Sequence, residues 1–224
     1  MTRKLSIIIP AYNEGRMLEA VSIEILKSFP HVELIICNDG SSDNTSDIHR
    51  KTGSEIKYIE NTINRGKGFS IRRGMFAATG EHVIFTDADL PFGVEGIRKI
   101  AAALDAGNAD VVIAEKTGYR RSVLYLVARK LMRWTLFLLF RFPYHDTQAG
   151  LKGFTRQAKD DIFKHSVING FAIDIEILMI AKIKFMRVET INLAVRKNEF
   201  RKSHFKLKSG LWFLFDIIKI KSLY

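Results

Sequence analysis

At 224 residues and 47% hydrophobic, the chain can bury one sizeable core, and four prolines with no Ser/Gly-rich run mark no linker. A single cysteine excludes an intrachain disulfide framework. Six scattered histidines, without an i, i+4 pair or cysteine partners, exclude a zinc site. The net charge of +11 is concentrated in two stretches: Lys116–His145 carries seven Lys/Arg and no acid, and Arg196–Tyr224 carries eight Lys/Arg against two acids.

Leu5–Ile9 is an apolar run ended by Pro10 and reads as the first strand. Glu14–Ser28 has helical spacing through Met17, Leu18, Val21, Ile25 and Leu26. Leu34–Cys37 is the second strand, with Cys37 a small core residue. Asp43–Thr52 reads as a short helix capped by Asp43 or Ser42. Ile56–Ile59 is a third strand, and Lys67–Ala78 a helix stopped by Gly80. His82–Thr86 is a fourth strand, Ile97–Leu104 a helix and Val111–Ala114 a fifth strand. Strands separated by helical stretches imply βαβ units, hence an α/β fold whose largely parallel, Rossmann-like sheet is flanked by helices. A long basic helix over Ser122–Arg141 follows, then His145-Asp-Thr-Gln-Ala-Gly150 and a strand, Leu151–Phe154. Gln157–Phe163 is helical, Gly170-Phe-Ala-Ile-Asp-Ile-Glu176 opens a helix through Ala181, and Phe185–Val195 is extended. The basic tail ends in an amphipathic helix around Leu211–Ile220.

In open α/β sheets ligands bind beyond the carboxyl ends of the strands. Pro10-Ala11-Tyr12-Asn13-Glu14 leaves the first strand: Tyr12 offers a face to a base and Glu14 an acceptor for base or ribose, unless Asn13 or Glu14 merely caps the helix. Asn38-Asp39-Gly40-Ser41 is a turn tolerant of unusual dihedrals, with Asp39 free to meet the base, or it is an ordinary turn. Arg65-Gly66-Lys67-Gly68 precedes a helix, where glycines let backbone approach a phosphate. It has neither P-loop nor Gly-x-Gly-x-x-Gly spacing. In Asp87-Ala88-Asp89, residues i and i+2 of an extended segment project to one side, and the two carboxylates repel unless a hard cation such as Mg²⁺ or Mn²⁺ joins them. The set suits a nucleotide diphosphate held with a divalent metal.

Both basic stretches are rich in aliphatic and aromatic residues. That mixture points to an anionic membrane surface rather than nucleic acid, solvated basic faces being the other reading. Neither spans a bilayer, which takes about 20 apolar residues. Trp134–Phe140 is hemmed in by Arg129, Lys130, Arg133 and Arg141, and Leu211–Phe215 is followed by Asp216 and Lys219. A strand close behind Met1 gives the expectation of no secretory signal.

Together these motifs resemble the family 2 glycosyltransferases of GT-A fold, and more narrowly the branch that transfers to polyprenyl phosphates, the dolichyl-phosphate β-glucosyltransferases and dolichyl-phosphate mannose synthases. The resemblance covers nearly the whole chain. Ile8–Glu14, Asn38–Asp43, Asn64–Gly68 and Thr86–Leu90 match the general family; Asp146–Phe154 and Phe171–Glu176 look like the glucosyltransferase branch. The family implies nucleotide-sugar contacts at Pro10, Ala11, Tyr12, Glu14, Asp39 and Ala88, a diphosphate-side role near Lys67, and metal at Asp87 and Asp89. Mannose synthases often continue the carboxylate pair with Gln, where Leu90-Pro91 follows here. Their Gly-Ser-Arg after the fifth strand is Ala114-Glu115-Lys116, which moves the acceptor-phosphate role to Lys116, Arg120 or Arg121. The Gln-x-x-Arg-Trp of processive members appears only as Lys130-Leu-Met-Arg-Trp134, so a single transfer is expected.

The expectation is a GT-A domain over residues 1–195 and a membrane-associating tail over 196–224, peripheral on the cytoplasmic face. It moves one hexose from a nucleotide sugar to a polyprenyl phosphate with inversion. Asp89 serves catalysis, Asp174, Gln148 and Glu176 meet sugar hydroxyls or acceptor, and Asp174 or Glu176 is a base if the acceptor is a hydroxyl. Capping of a helix N-terminus is the plainer reading of Asp174 and Glu176. Transfer to a sugar or protein hydroxyl, a sugar nucleotidyltransferase, and a binding module with a dead site remain open. The sequence does not choose UDP or GDP, or the oligomeric state.

Overall fold

The computed structural model describes residues 4–48, 56–117, 130, 134–144, 146–196 and 207–224. In these, strands β1 (Leu5–Ala11), β2 (Glu33–Asn38), β3 (Ile56–Glu60), β4 (His82–Thr86), β5 (Val111–Thr117), β6 (Leu151–Thr155) and β7 (Val188–Ala194) form one sheet of order β3-β2-β1-β4-β6-β5-β7. All neighbours are parallel except β6, which runs antiparallel to β4 and β5. The helices are α1 (Gly15–Ser28), α2 (Lys67–Ala77), α3 (Gly93–Asp105), α4 (Arg156–His165), α5 (Ile173–Ile183) and α6 (Leu207–Leu223).

The inner strands are buried on both faces, so β1, β2, β4 and the first part of β5 read as continuous apolar runs, whereas the edge strands β3 and β7 are largely part-buried or exposed. Alternation sorts their side chains into two cores. Ile7, Ile9, Ile36, Ile84 and Val112 pack with Leu18 and Ile25 of α1 and Ile97 and Ile100 of α3. Ile8, Ile35, Phe85, Ile113 and Phe154 pack with α2, α4, α5 and α6. Cys37 lies in the second core, its thiol pushed up to about 12 chiefly by burial, as a core residue should be.

Several expectations are corrected. Pro10 continues β1, opposite Cys37, because pairing with β4 has already ended at Ile8 and its missing N–H costs no bond there. The helix expected at Asp43–Thr52 begins as a 3₁₀ turn, Asn44–Ser46, capped by Asp43, and residues 49–55 lie outside the described residues. The helix expected over Ser122–Arg141 is described only in part: Lys130 and residues 134–140 are helical, and residues 122–129 and 131–133 lie outside the described residues. The extended stretch shortens to β7, because Phe185 adopts a left-handed φ of 53°.

The boundary at 195 is not a break in packing. α6 runs from Leu207 to Leu223 and buries Phe213, Ile217 and Ile220 in the same core as Phe85, Ile173 and Ile177. Its outer side keeps Trp212 (71%), Phe215 (64%) and Ile218 (66%) exposed. Among the described residues no helix is long and apolar enough to cross a membrane.

Candidate active site

The sheet order fixes the site. From β1 the chain steps outward to β2 and β3, then returns to place β4 on the other side of β1. The switch point, where ligands bind in such sheets, therefore lies between the carboxyl ends of β1 and β4. Along that rim stand the Asp39 turn after β2, the Tyr12–Glu14 loop after β1, the Asp87–Asp89 turn and, beyond β6, the end of β5 with Lys116. Because β6 is antiparallel, it starts at this rim, and that brings the turn 146–150 alongside β4.

The β1 and β2 loops are laced together. Asn13, with φ 57°, accepts from the Ser42 N–H through its side-chain oxygen and donates its own backbone N–H to Ser41 Oγ. The free N–H groups opening α1 are taken from across the rim: Glu14 N–H donates to Thr45 Oγ1 and Gly15 N–H to Asp43. Asn13 and Glu14 give α1 no side-chain cap. Tyr12 remains 40% exposed, with Ala11 buried beneath it. Burial, then the neighbouring Asp89, Asp43 and Asp87, push the Glu14 carboxyl up to about 7.

Asp39 is not free, contrary to the sequence expectation. It is 3% exposed and accepts from Asn61 Nδ2 (2.7 Å), Arg65 N–H (2.9 Å) and Gly66 N–H (2.8 Å). The phosphate cradle expected at Arg65–Gly68 is corrected in the same way. Gly68 and Phe69 N–H both donate to the Asn169 carbonyl, at 2.7 and 3.2 Å. A Cβ on Gly66 would stand 2.4 Å from that oxygen, and one on Gly68 2.5 Å from the Ile168 oxygen. These glycines admit protein backbone where a phosphate was expected at the helix N-terminus.

Asp87-Ala88-Asp89 is a turn rather than an extended segment, closed by Leu90 N–H to Asp87 O at 3.0 Å, with Leu90 at φ 43° and its side chain buried. Non-glycine residues in this region are strained and are held by their surroundings. Asp87 is seated against Gly150: its N–H donates to the Gly150 carbonyl at 2.9 Å, and a Cβ there would fall 1.7 Å from Asp87 Oδ2.

Lys67 meets Asp87 at 2.7 Å and Asp174 Oδ2 at 3.8 Å. Its burial opposes the charge, but Asp87 and Asp174 outweigh that and raise its pKa. The diphosphate-side expectation for Lys67 is thus modified, since its ammonium already orients Asp87. Asp174 also holds Lys152, which is fully buried and donates to the Ala149 carbonyl at 2.8 Å. Burial pulls the Lys152 pKa down against the pull of Asp174. An ionic chain therefore runs Asp87–Lys67–Asp174–Lys152, over the Phe85 ring. Sequence reasoning missed Lys152; its signal is a lone lysine inside an apolar strand that the topology makes central.

Asp174 and Glu176 are split. Two residues apart on a helix they face nearly opposite ways. Glu176 is fully buried and accepts from Val167 and Ile168 N–H at 2.9 and 3.0 Å, so the expected sugar or acceptor contact is corrected to a bond that orders a loop. Neither residue caps α5. Gln148 is exposed on the turn beside Gly150. Lys116 is partly buried in β5 opposite Leu193, two strand spacings, about 10 Å, from β4. Arg120 and Arg121 lie outside the described residues.

Among the described residues no three His, Cys, Asp or Glu side chains stand close enough to hold a metal alone. Asp87 and Asp89 nevertheless suit a hard cation, which one or two carboxylates and phosphate oxygens hold together. Burial is the larger cause of the raised Glu14 carboxyl, and the part that Asp89, Asp43 and Asp87 add is the part such a cation would relieve.

The model of the family described as glycosyl transferase family 2 matches residues 6–173. The human dolichyl-phosphate beta-glucosyltransferase is 31% identical over 90% of this chain and 69% of its own length. A dolichyl-phosphate beta-glucosyltransferase of Trichomonas vaginalis is 30% identical over 96% of this chain and 72% of its own. Among solved structures, glucosyl-3-phosphoglycerate synthase from Mycobacterium tuberculosis, in complex with Mn²⁺, UDP and phosphoglyceric acid, superposes with a TM-score of 0.75 at 23% identity. That match covers 97% of this chain and 77% of the synthase, and it shows the shared GT-A fold.

Proposed function

The chain belongs to glycosyl transferase family 2, and from that premise we propose that it transfers one hexose, glucose, from UDP-glucose to a polyprenyl phosphate with inversion. The observation that carries the donor half is the Asp87–Asp89 turn at the switch point, with Asp87 fixed between Lys67 and Gly150. The acceptor half is supported by the relatives, which are named for transfer to dolichyl phosphate. UDP and Mn²⁺ are supported by the structural neighbour crystallised with both.

In this reading Tyr12 presents its exposed ring to the base, and Lys67 keeps Asp87 oriented before the donor arrives. Asp87 and Asp89 would hold a divalent cation, which when bound would supply positive charge to offset that growing on the departing diphosphate. The acceptor phosphate attacks the anomeric carbon from the opposite face, forming a C–O bond as the bond to the diphosphate breaks. A phosphate monoester is already substantially ionised near neutral pH, so the protein needs to position it rather than deprotonate it. Asp174, held between two lysine ammoniums, suits anchoring better than proton abstraction. Lys116, Arg120 and Arg121 are our candidates for the acceptor phosphate.

Lodging at a membrane face belongs to the same proposal, supported by the exposed Trp212, Phe215 and Ile218 on a chain of net charge +11. The test is nucleotide release from UDP-glucose, UDP-galactose and GDP-mannose, each with a short polyprenyl phosphate or 3-phosphoglycerate, with and without chelator. Metal-dependent UDP release with UDP-glucose and the lipid phosphate is expected. Release favoured by 3-phosphoglycerate would replace the lipid by a small hydroxyl acceptor.

A further inference from the structure

Glu176 is bonded to the support of Lys67. Both its oxygens accept backbone N–H groups, of Val167 and Ile168. The next residue, Asn169, gives its carbonyl to Gly68 and Phe69 N–H, the amides that follow Lys67 in the first turn of α2. Arg72, one turn further along α2, donates to the Ile168 carbonyl at 3.1 Å and to Asn169 Oδ1. The loop thus grips α2 at its opening turn and again from its side.

The far side of Glu176 is closed by the last helix. The Tyr224 hydroxyl lies 3.0 Å from the His165 carbonyl and 3.3 Å from Glu176 Oε1, its one proton shared between them. Asp216 Oδ2 stands 2.7 Å from where a side chain on Gly170 would begin. One bonded path therefore runs from α6 through Glu176 and the 167–169 backbone to Lys67 and Asp87. A buried carboxylate is costly unless its hydrogen bonds are filled, so this arrangement holds its backbone partners firmly.

We propose that Glu176 is a positioning residue for the donor site: it fixes the 167–169 loop, which fixes the α2 terminus and so the placement of Lys67 against Asp87. Tyr224 makes α6 part of the same device. The inference rests on reading Lys67 and Asp87 as donor-site residues.

The test is a double-mutant cycle on the full chain, with Kd for UDP in the presence of Mn²⁺ and the thermal midpoint measured for each protein. Glu176→Gln should weaken UDP about five- to ten-fold in the native background and less than about two-fold in Lys67→Met, since coupled residues are non-additive. Its thermal midpoint should fall by the same amount in both. Should Glu176→Gln fail to fold, Tyr224→Phe is taken through the same cycle, with the same loss of effect expected in Lys67→Met. Equal fold-losses in both backgrounds would overturn the proposal, leaving Glu176 a purely structural residue. UDP affinity untouched by Lys67→Met itself would instead remove the donor-site reading, and the proposal with it.

Discussion

At the residue scale, the contact between Gly150 and Asp87 is the most exacting in the site. An added Cβ would overlap the Asp87 carboxylate at 1.7 Å, and the turn carrying Asp87 is already held at a left-handed Leu90. Gly150→Ala should therefore displace Asp87 and reduce turnover about as far as Asp87→Ala does, on the order of 100-fold or more if the carboxylate serves transition-state charge. Steady-state rates of the two variants, with circular dichroism confirming the fold, decide it. Near-native turnover in Gly150→Ala would show that the seat is not needed. The residues at strand ends were legible in the sequence, because an apolar run followed by Asn-Asp-Gly or Asp-Ala-Asp announces both the strand and its exit. What they touch was not. Asp39 looked free because Arg65 and Gly66 are distant in sequence, and Lys152 looked like an ordinary strand residue until Asp174 was folded against it.

At the element scale, the start of α1 depends on a neighbour. Asp43 accepts from Thr45 Oγ1, Thr45 N–H and Gly15 N–H, so it caps its own 3₁₀ turn and α1 together. Burial works against its charge, but these bonds prevail and hold the carboxyl below its ordinary value of 3.8. The folded pKa is lowered, so on acidification the unfolded chain takes up the proton first. The stabilisation is whole at neutral pH and is lost as pH falls through the folded value. Asp43→Ala should cost about 1 kcal/mol at pH 7. The difference should shrink in strongly acidic buffer, as urea unfolding over a pH series would record. A difference constant with pH would mean the carboxylate charge contributes nothing. The cap itself was legible in the sequence; its reach to Gly15 was not, since nothing local joins residues 28 apart.

At the scale of the whole molecule, α6 has two faces, one packed into the core and one exposed face that we propose meets a membrane surface. Phe213, Ile217 and Ile220 complete the core, so a chain ending before them would lose folding as well as any surface property. Trp212→Ser with Phe215→Ser leaves that core intact and strips the outer face. Native protein should co-sediment with anionic vesicles more than with neutral ones, and less at high salt, each basic residue near the surface adding about 1 kcal/mol. The double variant should bind more weakly to both. Equal, negligible binding of native protein to both vesicle types would count against a membrane role. The alternation of strands and helices was legible because period-2 and period-3.6 patterns are local. The antiparallel β6 and the union of α6 with the core depend on contacts across the chain.

The proposed reaction is the transfer of one hexose to a lipid phosphate. Its most direct measurement is mass spectrometry of the lipid fraction after native protein is incubated with UDP-glucose, Mn²⁺ and a short polyprenyl phosphate, beside Asp89→Ala and a chelator control. The lipid phosphate should gain a single hexose with native protein and stay unmodified in both controls. An unmodified lipid in the native reaction while UDP-glucose is consumed, or a hexosylated lipid of equal yield with Asp89→Ala, would contradict it.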